Sequence, residues 1–250
     1  MPRLIFDDVT WAKLQTSLLA NGVYDTDELR MRVEGIAHKI RTGAPWRDLP
    51  PEFGNWNAVF KMFNRLCKKN IFDALFQELS LNSYEETHYI DATIVKAHQH
   101  SSGARHGEVT GIGRCVAGNS SKIHLAVEAS GLPVSFKITE GQVHDSTMGA
   151  ALLESLERPE IVVCDKGYDS ESFREEIRER GAEPCIPRKK NSIVGNGDID
   201  FEIYKFRHLV ENMFARMKHF RSIATRYEKL KRNYSGLVAF VCCIIWLERV

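Results

Sequence analysis

The 250-residue sequence carries almost no net charge, +1 at neutral pH, and its six cysteines follow no organising pattern. Cys67, Cys115, Cys164, Cys185, Cys242 and Cys243 include an adjacent pair but no C-x-x-C and no histidine partner at zinc-finger spacing. That excludes the common structural zinc sites and leaves reduced, mostly buried thiols in a cytoplasmic protein as the expectation. The opening Met-Pro-Arg-Leu-Ile-Phe-Asp-Asp lacks the charged and apolar regions of a signal peptide. No apolar run is long enough for a bilayer: the longest, Leu237 to Leu247, reads as a buried helix, and no membrane partner is expected. No internal repeat is evident. Bulk charge does not announce nucleic acid, but its distribution is uneven. From Arg188 to Arg232 there are twelve Lys/Arg against five Asp/Glu, and a local basic patch suffices to hold phosphates.

What is present is core material, with 43% hydrophobic and 10% aromatic residues, enough for one large or two small domains. Residues 1–82 read as a helical module. Amphipathic segments run from about Thr10 to Ala20 and Thr26 to Arg41, each with a Thr or Asp start and a Gly stop. A proline-rich connector, Gly43 to Gly54, holds Trp46 and cannot be a regular helix; it and Trp56 read as hydrophobic glue. A third helix, Trp56 to about Asn70, carries Lys61, Arg65, Lys68 and Lys69 among its apolar positions. Short helices with a basic last one fit a helix-turn-helix DNA reader, and equally a plain bundle with solvated lysines.

Residues 83–250 change to strands. His88 to Val95 is β-rich, and His98 to Ser121 is Gly/Ser-rich and predicts a mobile loop. Lys122–Glu128 and Leu132–Thr139 flank Ala-Ser-Gly as a hairpin. A helix over 146–156, the strand Ile161–Asp165, a helix over 171–180 and a strand over 182–187 follow. The order β-β-β-α-β-α-β-α is that of a ribonuclease-H-like fold, an α/β core with a mixed sheet flanked by helices.

Three acids stand out by position. Asp91 lies inside the first strand and Asp165 ends another, where an acid is costly unless paired or metal-bound. Glu211 lies in Tyr204–Lys218, where Tyr204, Arg207, Glu211 and Lys218 share one helical face. Phe206, Leu209, Val210, Met213, Phe214, Met217 and Phe220 take the opposite, core-facing side. Arg207 and Glu211 form an i,i+4 pair. Jointly the three carboxylates suit two Mg²⁺ or Mn²⁺ ions, which can activate an attacking oxygen and stabilise a leaving one at a phosphodiester.

The pattern Tyr204-x2-Arg207-x3-Glu211-x6-Lys218, with Asp91-Ala-Thr-Ile-Val-Lys-Ala-His98 and Asp165-Lys-Gly-Tyr168-Asp169 upstream, resembles the DDE transposases of bacterial insertion sequences that carry this signature. Thr42-Gly-Ala-Pro-Trp-Arg-Asp-Leu-Pro-Pro51 and Ile223-Ala-Thr-Arg-Tyr227 extend the resemblance over nearly the whole chain. It implies that Asp91, Asp165 and Glu211 are the catalytic, metal-binding triad. It also implies that Tyr204, Arg207 and Lys218 handle the DNA end. A phosphate suits Arg207 bidentately and Lys218 as a point charge, while Tyr204 either stacks on an extruded base or fills a hole in the core. Weaker candidates are Arg188, Lys189 and Lys190 along a DNA backbone, and His98, His144 and Lys166 as accessories to the site. The expected protein is a transposase acting on double-stranded DNA, both terminal inverted repeats and target, as a homodimer at the bacterial nucleoid. Two alternatives stay open: a DNA-binding protein derived from a transposase, and a metal-dependent nuclease of the same fold without strand transfer.

Overall fold

The computed structural model describes residues 2–81, 83, 85–104, 107–116, 118–190 and 192–249. The expected boundary residue Asn82 and three residues of the 98–121 stretch, Arg105, His106 and Ala117, lie outside the described residues. Four helices open the chain: α1 (Asp8–Ala20), α2 (Leu29–Thr42), α3 (Trp56–Lys68) and α4 (Ile71–Ser80). Next come β1 (Thr87–Ala97), β2 (Gly113–Cys115), β3 (Gly118–Glu128) and β4 (Pro133–Glu140). After α5 (Ser146–Leu153), β5 (Ile161–Cys164), α6 (Glu171–Glu179) and β6 (Glu183–Cys185) the chain turns helical again. Its remaining elements are α7 (Phe201–Tyr204), α8 (His208–Lys218), α9 (Arg221–Ala224), β7 (Thr225–Arg226) and α10 (Lys231–Leu247). These form two compact units. A helical unit takes in the chain up to Leu79, Ala97–Thr110 and the chain from Met217 on, and a sheet unit takes in Ser80–Lys96 and Gly111–Arg216. The spatial grouping is therefore interleaved, whereas the expected division at 82/83 cuts the sequence once.

In the helical unit, local signals set the helix ends. The Asp7 carboxylate accepts from Thr10 N (2.8 Å) to start α1, and Asn55 does the same for α3 through Asn57 N (2.9 Å). Gly43, at φ 71°, stops α2 in the left-handed conformation. Glu34 on α2, 1% exposed, accepts from Ile5 N (2.8 Å) and Phe6 N (3.0 Å) and so ties down the preceding chain. The expected third helix ends close to where it is predicted to, near Asn70. Asn70 adopts φ 54°, ending α3 and starting α4 as a separate helix. On α3 the residues Val59, Met62, Phe63, Leu66 and Cys67 are buried while Lys61, Arg65, Lys68 and Lys69 are exposed. The apolar run expected to be a buried helix is α10, buried along almost its whole length; its Phe240 packs on Phe72 (4.7 Å between rings) and Phe6 (6.1 Å). A Cβ on Gly236 would stand 2.5 Å from the Cys67 sulfur, so glycine is what lets α3 approach α10 here. Among the described residues no helix is long and apolar enough to cross a membrane. In the connector, Trp46 packs on Phe63 (5.1 Å) and Phe60 (5.4 Å), the glue that its composition predicts.

The sheet unit carries the strand order β4-β3-β1-β5-β6, with β2 as a short addition to β3. The pairs β4/β3 and β3/β1 are antiparallel, and β1/β5 and β5/β6 are parallel. With α5 and α6 covering it, this is the mixed, ribonuclease-H-like sheet that the element order predicts. Ile90, Ala126, Val162 and Cys164 of the sheet bury against Leu152 and Leu153 of α5 and Phe173 and Ile177 of α6. The 98–121 stretch is more structured than its Gly/Ser content suggests: it contains a 3-10 turn (Gln99–Ser101), β2 and the start of β3. Ser120 and Ser121 pair with Lys96 and Val95 of β1, and the buried Ser121 hydroxyl donates to Gly111 O (2.6 Å). Small polar side chains whose hydroxyls find partners enter a strand without the penalty that makes them look like loop residues.

Candidate active site

The parallel register between β1 and β5 positions two of the three acids. Ile90 pairs with Cys164, so the next residues, Asp91 and Asp165, stand at the same level on adjoining strands. Strand alternation does the rest: Ile90 and Cys164 are fully buried in the core under α5 and α6, so Asp91 and Asp165 point to the opposite face. Asp91 accepts from its own neighbour Ala92 N (2.7 Å) through Oδ1, and from Arg207 Nη1 (2.7 Å) through Oδ2. The second guanidinium nitrogen of Arg207 donates to Glu211 Oε1. Arg207 therefore bridges a carboxylate distant in sequence and one a single helical turn away. The side chains of Asp91 and Arg207 are 18% and 22% exposed, against 51% for Glu211, so the Asp91 contact is the desolvated one. Asp165 Oδ1 accepts from Gly167 N (2.8 Å) and caps the 3-10 turn after β5.

Burial raises the Asp91 carboxyl above its ordinary range and the charge of Asp165 pushes the same way, while the Ala92 amide and Arg207 oppose them. Arg207 is weakened as an acid: burial acts against its charge, but Asp91 and Glu211 outweigh it. Burial also raises the Tyr204 phenol, while the charge of Arg207 pulls it the other way. Tyr204, Arg207, Asp91, Asp165 and Glu211 thus form one electrostatically linked group within the sheet unit.

The stretch 204–218 is not one uninterrupted helix. Tyr204 ends α7, a 3-10 turn spans Lys205–Arg207, and α8 begins at His208. The tighter turn rotates the face, which leaves Phe206 52% exposed instead of on the core. Val210, Met213, Phe214 and Met217 are buried as expected, and the Arg207–Glu211 pair forms. Lys218, half-buried and with its amine lowered by burial, falls in the helical unit, as do Lys61, Arg65, Lys68, Lys69 and His98. His98 stacks on Tyr227 (4.5 Å between rings). Lys166 is exposed beside Asp165. Of the run 188–190, Arg188 is already engaged by Asp198 (Nη2 to Oδ2 2.8 Å) and Lys189 N donates to Asp169 (2.7 Å), while Lys190 is exposed. Asp169 in turn pairs with fully buried Arg174 (2.7 Å), so this segment is anchored to α6.

One network escapes sequence reasoning. Asp145 pairs with Lys122 Nζ (2.8 Å) and lies 3.9 Å from Nδ1 of His124, which is fully buried and bonded through Nε2 to Thr139 Oγ1 (2.8 Å). Burial pushes the His124 imidazole down to about 4. His144, next to Asp145, instead caps the start of α5 through Ser146 Oγ (2.8 Å). A histidine and a lysine alternating within the apolar run Lys122-Ile-His-Leu-Ala-Val is the signal that could have flagged it.

The family of a metal matters for the three acids, and their chemistry suits a hard divalent cation: all are carboxylates, and two repel each other across adjoining strands. Among the described residues no three His, Cys, Asp or Glu groups are gathered closely enough to form a ready cage. Arg207 supplies the positive charge between Asp91 and Glu211.

Residues 86–246 match the family model described as "Transposase DDE domain", and residues 6–76 match that described as "Putative transposase of IS4/5 family". The "Putative transposase for insertion sequence element IS402" of Burkholderia cepacia is 32% identical over 136 residues, covering 50% of this chain and 62% of that protein. The "Putative transposase for insertion sequence element IS6501" of Brucella ovis is 33% identical over 132 residues, 52% of this chain and 99% of that protein. The chain thus spans less than two thirds of the first relative and nearly all of the second. A crystal structure of a pre-cleavage Mos1 transpososome aligns over 98% of this chain and 86% of its own at 10% identity, with a TM-score of 0.30.

Proposed function

The chain belongs to the Transposase DDE domain family, and on that premise we propose that it is a DNA transposase using Asp91, Asp165 and Glu211 as its catalytic, metal-binding acids. The observation that carries this reading is the convergence of Asp91 and Asp165 at one level of adjoining parallel strands, with Glu211 tied to Asp91 through Arg207. Family membership implies divalent metal ions, and two Mg²⁺ or Mn²⁺ ions held by these carboxylates would polarise the scissile phosphate and lower the barrier to attack on it. Water attacks phosphorus in line and the 3′-oxygen leaves as the element's terminal hydroxyl; that hydroxyl then attacks a target phosphodiester in the same geometry.

The remaining residues position DNA. Arg207 has two uses, holding the carboxylates together before DNA binds and clasping a phosphate afterwards. Tyr204, beside it, offers a ring for an extruded base, and Lys218 offers a point charge. Residues 1–82 form the reader of the terminal inverted repeats, with the exposed Lys61, Arg65, Lys68 and Lys69 of α3 on the duplex. Residues 83–250 supply the catalytic acids, all three of which lie in the sheet unit. Lys190 and Lys166, both exposed, add charge along the DNA path, Lys189 and Arg188 support that path from their contacts with Asp169 and Asp198, and His98 and His144 are accessory groups. Two element ends must be joined to one target, so the working form is a homodimer on DNA.

Asp91→Asn, Asp165→Asn and Glu211→Gln should each abolish Mg²⁺-dependent cleavage of inverted-repeat ends while leaving duplex binding intact. Near-normal cleavage by any one of them would remove that acid from the site. Supplying pre-cleaved ends asks the second question: joined product identifies a transposase, and its absence identifies a nuclease.

A further inference from the structure

The helical unit, taken by itself, contains a cavity of about 730 Å³ whose lining includes Trp46, Phe60, Tyr227, Lys39 and Asn233. That is the size of a small-molecule or nucleotide site. Its walls are aromatic. Trp46 is fixed by Phe60 and Phe63, and Tyr227, 46% exposed at the rim, is held flat against His98 with 21° between the rings.

The polar groups of the same cavity are incompletely used. Asn233, 4% exposed, donates through Nδ2 to Asn64 Oδ1 (2.7 Å), but its own Oδ1 has no hydrogen-bond partner among the described residues. The indole Nε1 of Trp46 is likewise buried and without a hydrogen-bond partner among the described residues. Lys39, 4% exposed, donates to Ser222 Oγ (3.0 Å), lies 3.9 Å from Glu228 and sits 5.6 Å from the Trp46 ring centre. Both atoms are shielded from water as the unit stands, so a ligand in the neighbouring cavity would meet them only after a small shift of the Trp46 and Asn233 side chains, and would then relieve the cost of leaving them unmet. A plain apolar ligand would not.

A second cavity of the helical unit, about 920 Å³, shares Glu108 and Leu230 with the first and is lined by Lys69, Lys231 and Arg232. Lys229, on the rim of the first, continues this cationic track, which Asp73 and Glu108 temper. The chemistry that fits both parts is a flat, π-faced group with a donor and an acceptor on its edge, attached to a chain of phosphates.

We infer that the helical unit binds an unpaired nucleotide of a DNA strand, with the base in the cavity of Trp46, Tyr227 and Asn233 and the flanking phosphates on Lys229, Lys231 and Arg232. The base stacks on the aromatic walls and its edge meets Trp46 Nε1 and Asn233 Oδ1. This rests on the reading that DNA is the substrate, but it assigns a single-strand site outside the catalytic acids and outside the basic face of α3. Such a site would hold a base opened near a cut end.

The test uses the full chain in EDTA, so that no cutting intervenes, with short oligothymidylate bearing one 5-iododeoxyuridine. Photocrosslinking followed by peptide mapping should place the adduct at Tyr227 or Trp46. Tyr227→Ala should weaken single-strand binding about tenfold. Trp46→Phe, which keeps the ring packing and removes only the N–H, should weaken it by less, and both variants should melt near the parent. Adducts mapping elsewhere, or single-strand affinity unchanged by both variants, would overturn the inference. If no single strand binds while Mg²⁺-dependent cleavage of element ends persists, this site is refuted and the proposed function stands.

Discussion

Removing Arg207 should destabilise the protein, and a divalent cation should undo the damage. In Arg207→Ala the Asp91 carboxylate, 18% exposed and raised by burial and by Asp165, loses its guanidinium contact. Breaking a fully buried ion pair costs about 3–5 kcal/mol, because a charge is left without a partner. Here about a fifth of each side chain is still hydrated, and the contact to half-exposed Glu211 is worth only about 0.5 kcal/mol. The expected loss is therefore about 2–3 kcal/mol in EDTA, read as a lower urea midpoint at unchanged slope. Two controls make the cause specific. Asp91→Asn in the Arg207→Ala background should recover most of the loss, giving a coupling of about 2 kcal/mol in the double-mutant cycle. Mg²⁺ should raise the midpoint of Arg207→Ala more than that of the parent, since in the parent the ion competes with the guanidinium for the same oxygens. An Arg207→Ala midpoint equal to the parent's, or one that Asp91→Asn fails to restore, would refute the claim that Arg207 serves as the resident counter-charge.

Three further outcomes are expected. His124, buried neutral with its imidazole pushed down to about 4, takes up a proton in the unfolded chain before the folded one. Its stabilisation is therefore complete above the ordinary histidine range, about pH 6.5, and is lost as pH falls toward 4, by up to about 3 kcal/mol. His124→Gln should flatten that part of the stability profile, and an unchanged slope would refute it. Gly236→Ala drives a methyl to within 2.5 Å of the Cys67 sulfur and should cost about 1–3 kcal/mol, most of it relieved by Cys67→Ala; thermal melts of the single and double variants decide it. Finally, Cys115 is the one half-buried thiol among six and the others are buried, so a thiol reagent should label Cys115 first in the native protein, as peptide mapping will show.

The acids were legible because a carboxylate in an apolar strand breaks the local pattern, and the order of strands and helices was legible from alternation and turns. The partner of Asp91 was not. Arg207 reads from sequence as the i,i+4 mate of Glu211, and its bond to a residue 116 positions away exists only once β1 and the 3-10 turn before α8 are placed. The end of α3 near Asn70 was legible, but α4 beyond it was not, because Asn70 enters the left-handed region without a Gly or Pro to announce a new helix. Ser120 and Ser121 looked like loop because strand membership there is decided by pairing with β1. The polar cavity of the helical unit was equally invisible, since Lys39 and Trp46 come from one stretch of chain and Tyr227 and Asn233 from another far beyond it.

The interleaving of the two units has a consequence for synthesis on the ribosome. The sheet unit has all its residues once Arg216 is made, whereas α1 to α4 have to wait for α10, whose Phe240 completes the ring contacts with Phe6 and Phe72. At about 5–20 residues per second, roughly ten to thirty seconds separate the end of α4 from the end of α10. During that interval the faces of α3 and α4 that α10 covers stay open to chaperones and proteases. A message truncated between the codons for Arg216 and Leu247 would consequently yield a chain with its acids present and its helical unit unclosed, a product fit for degradation.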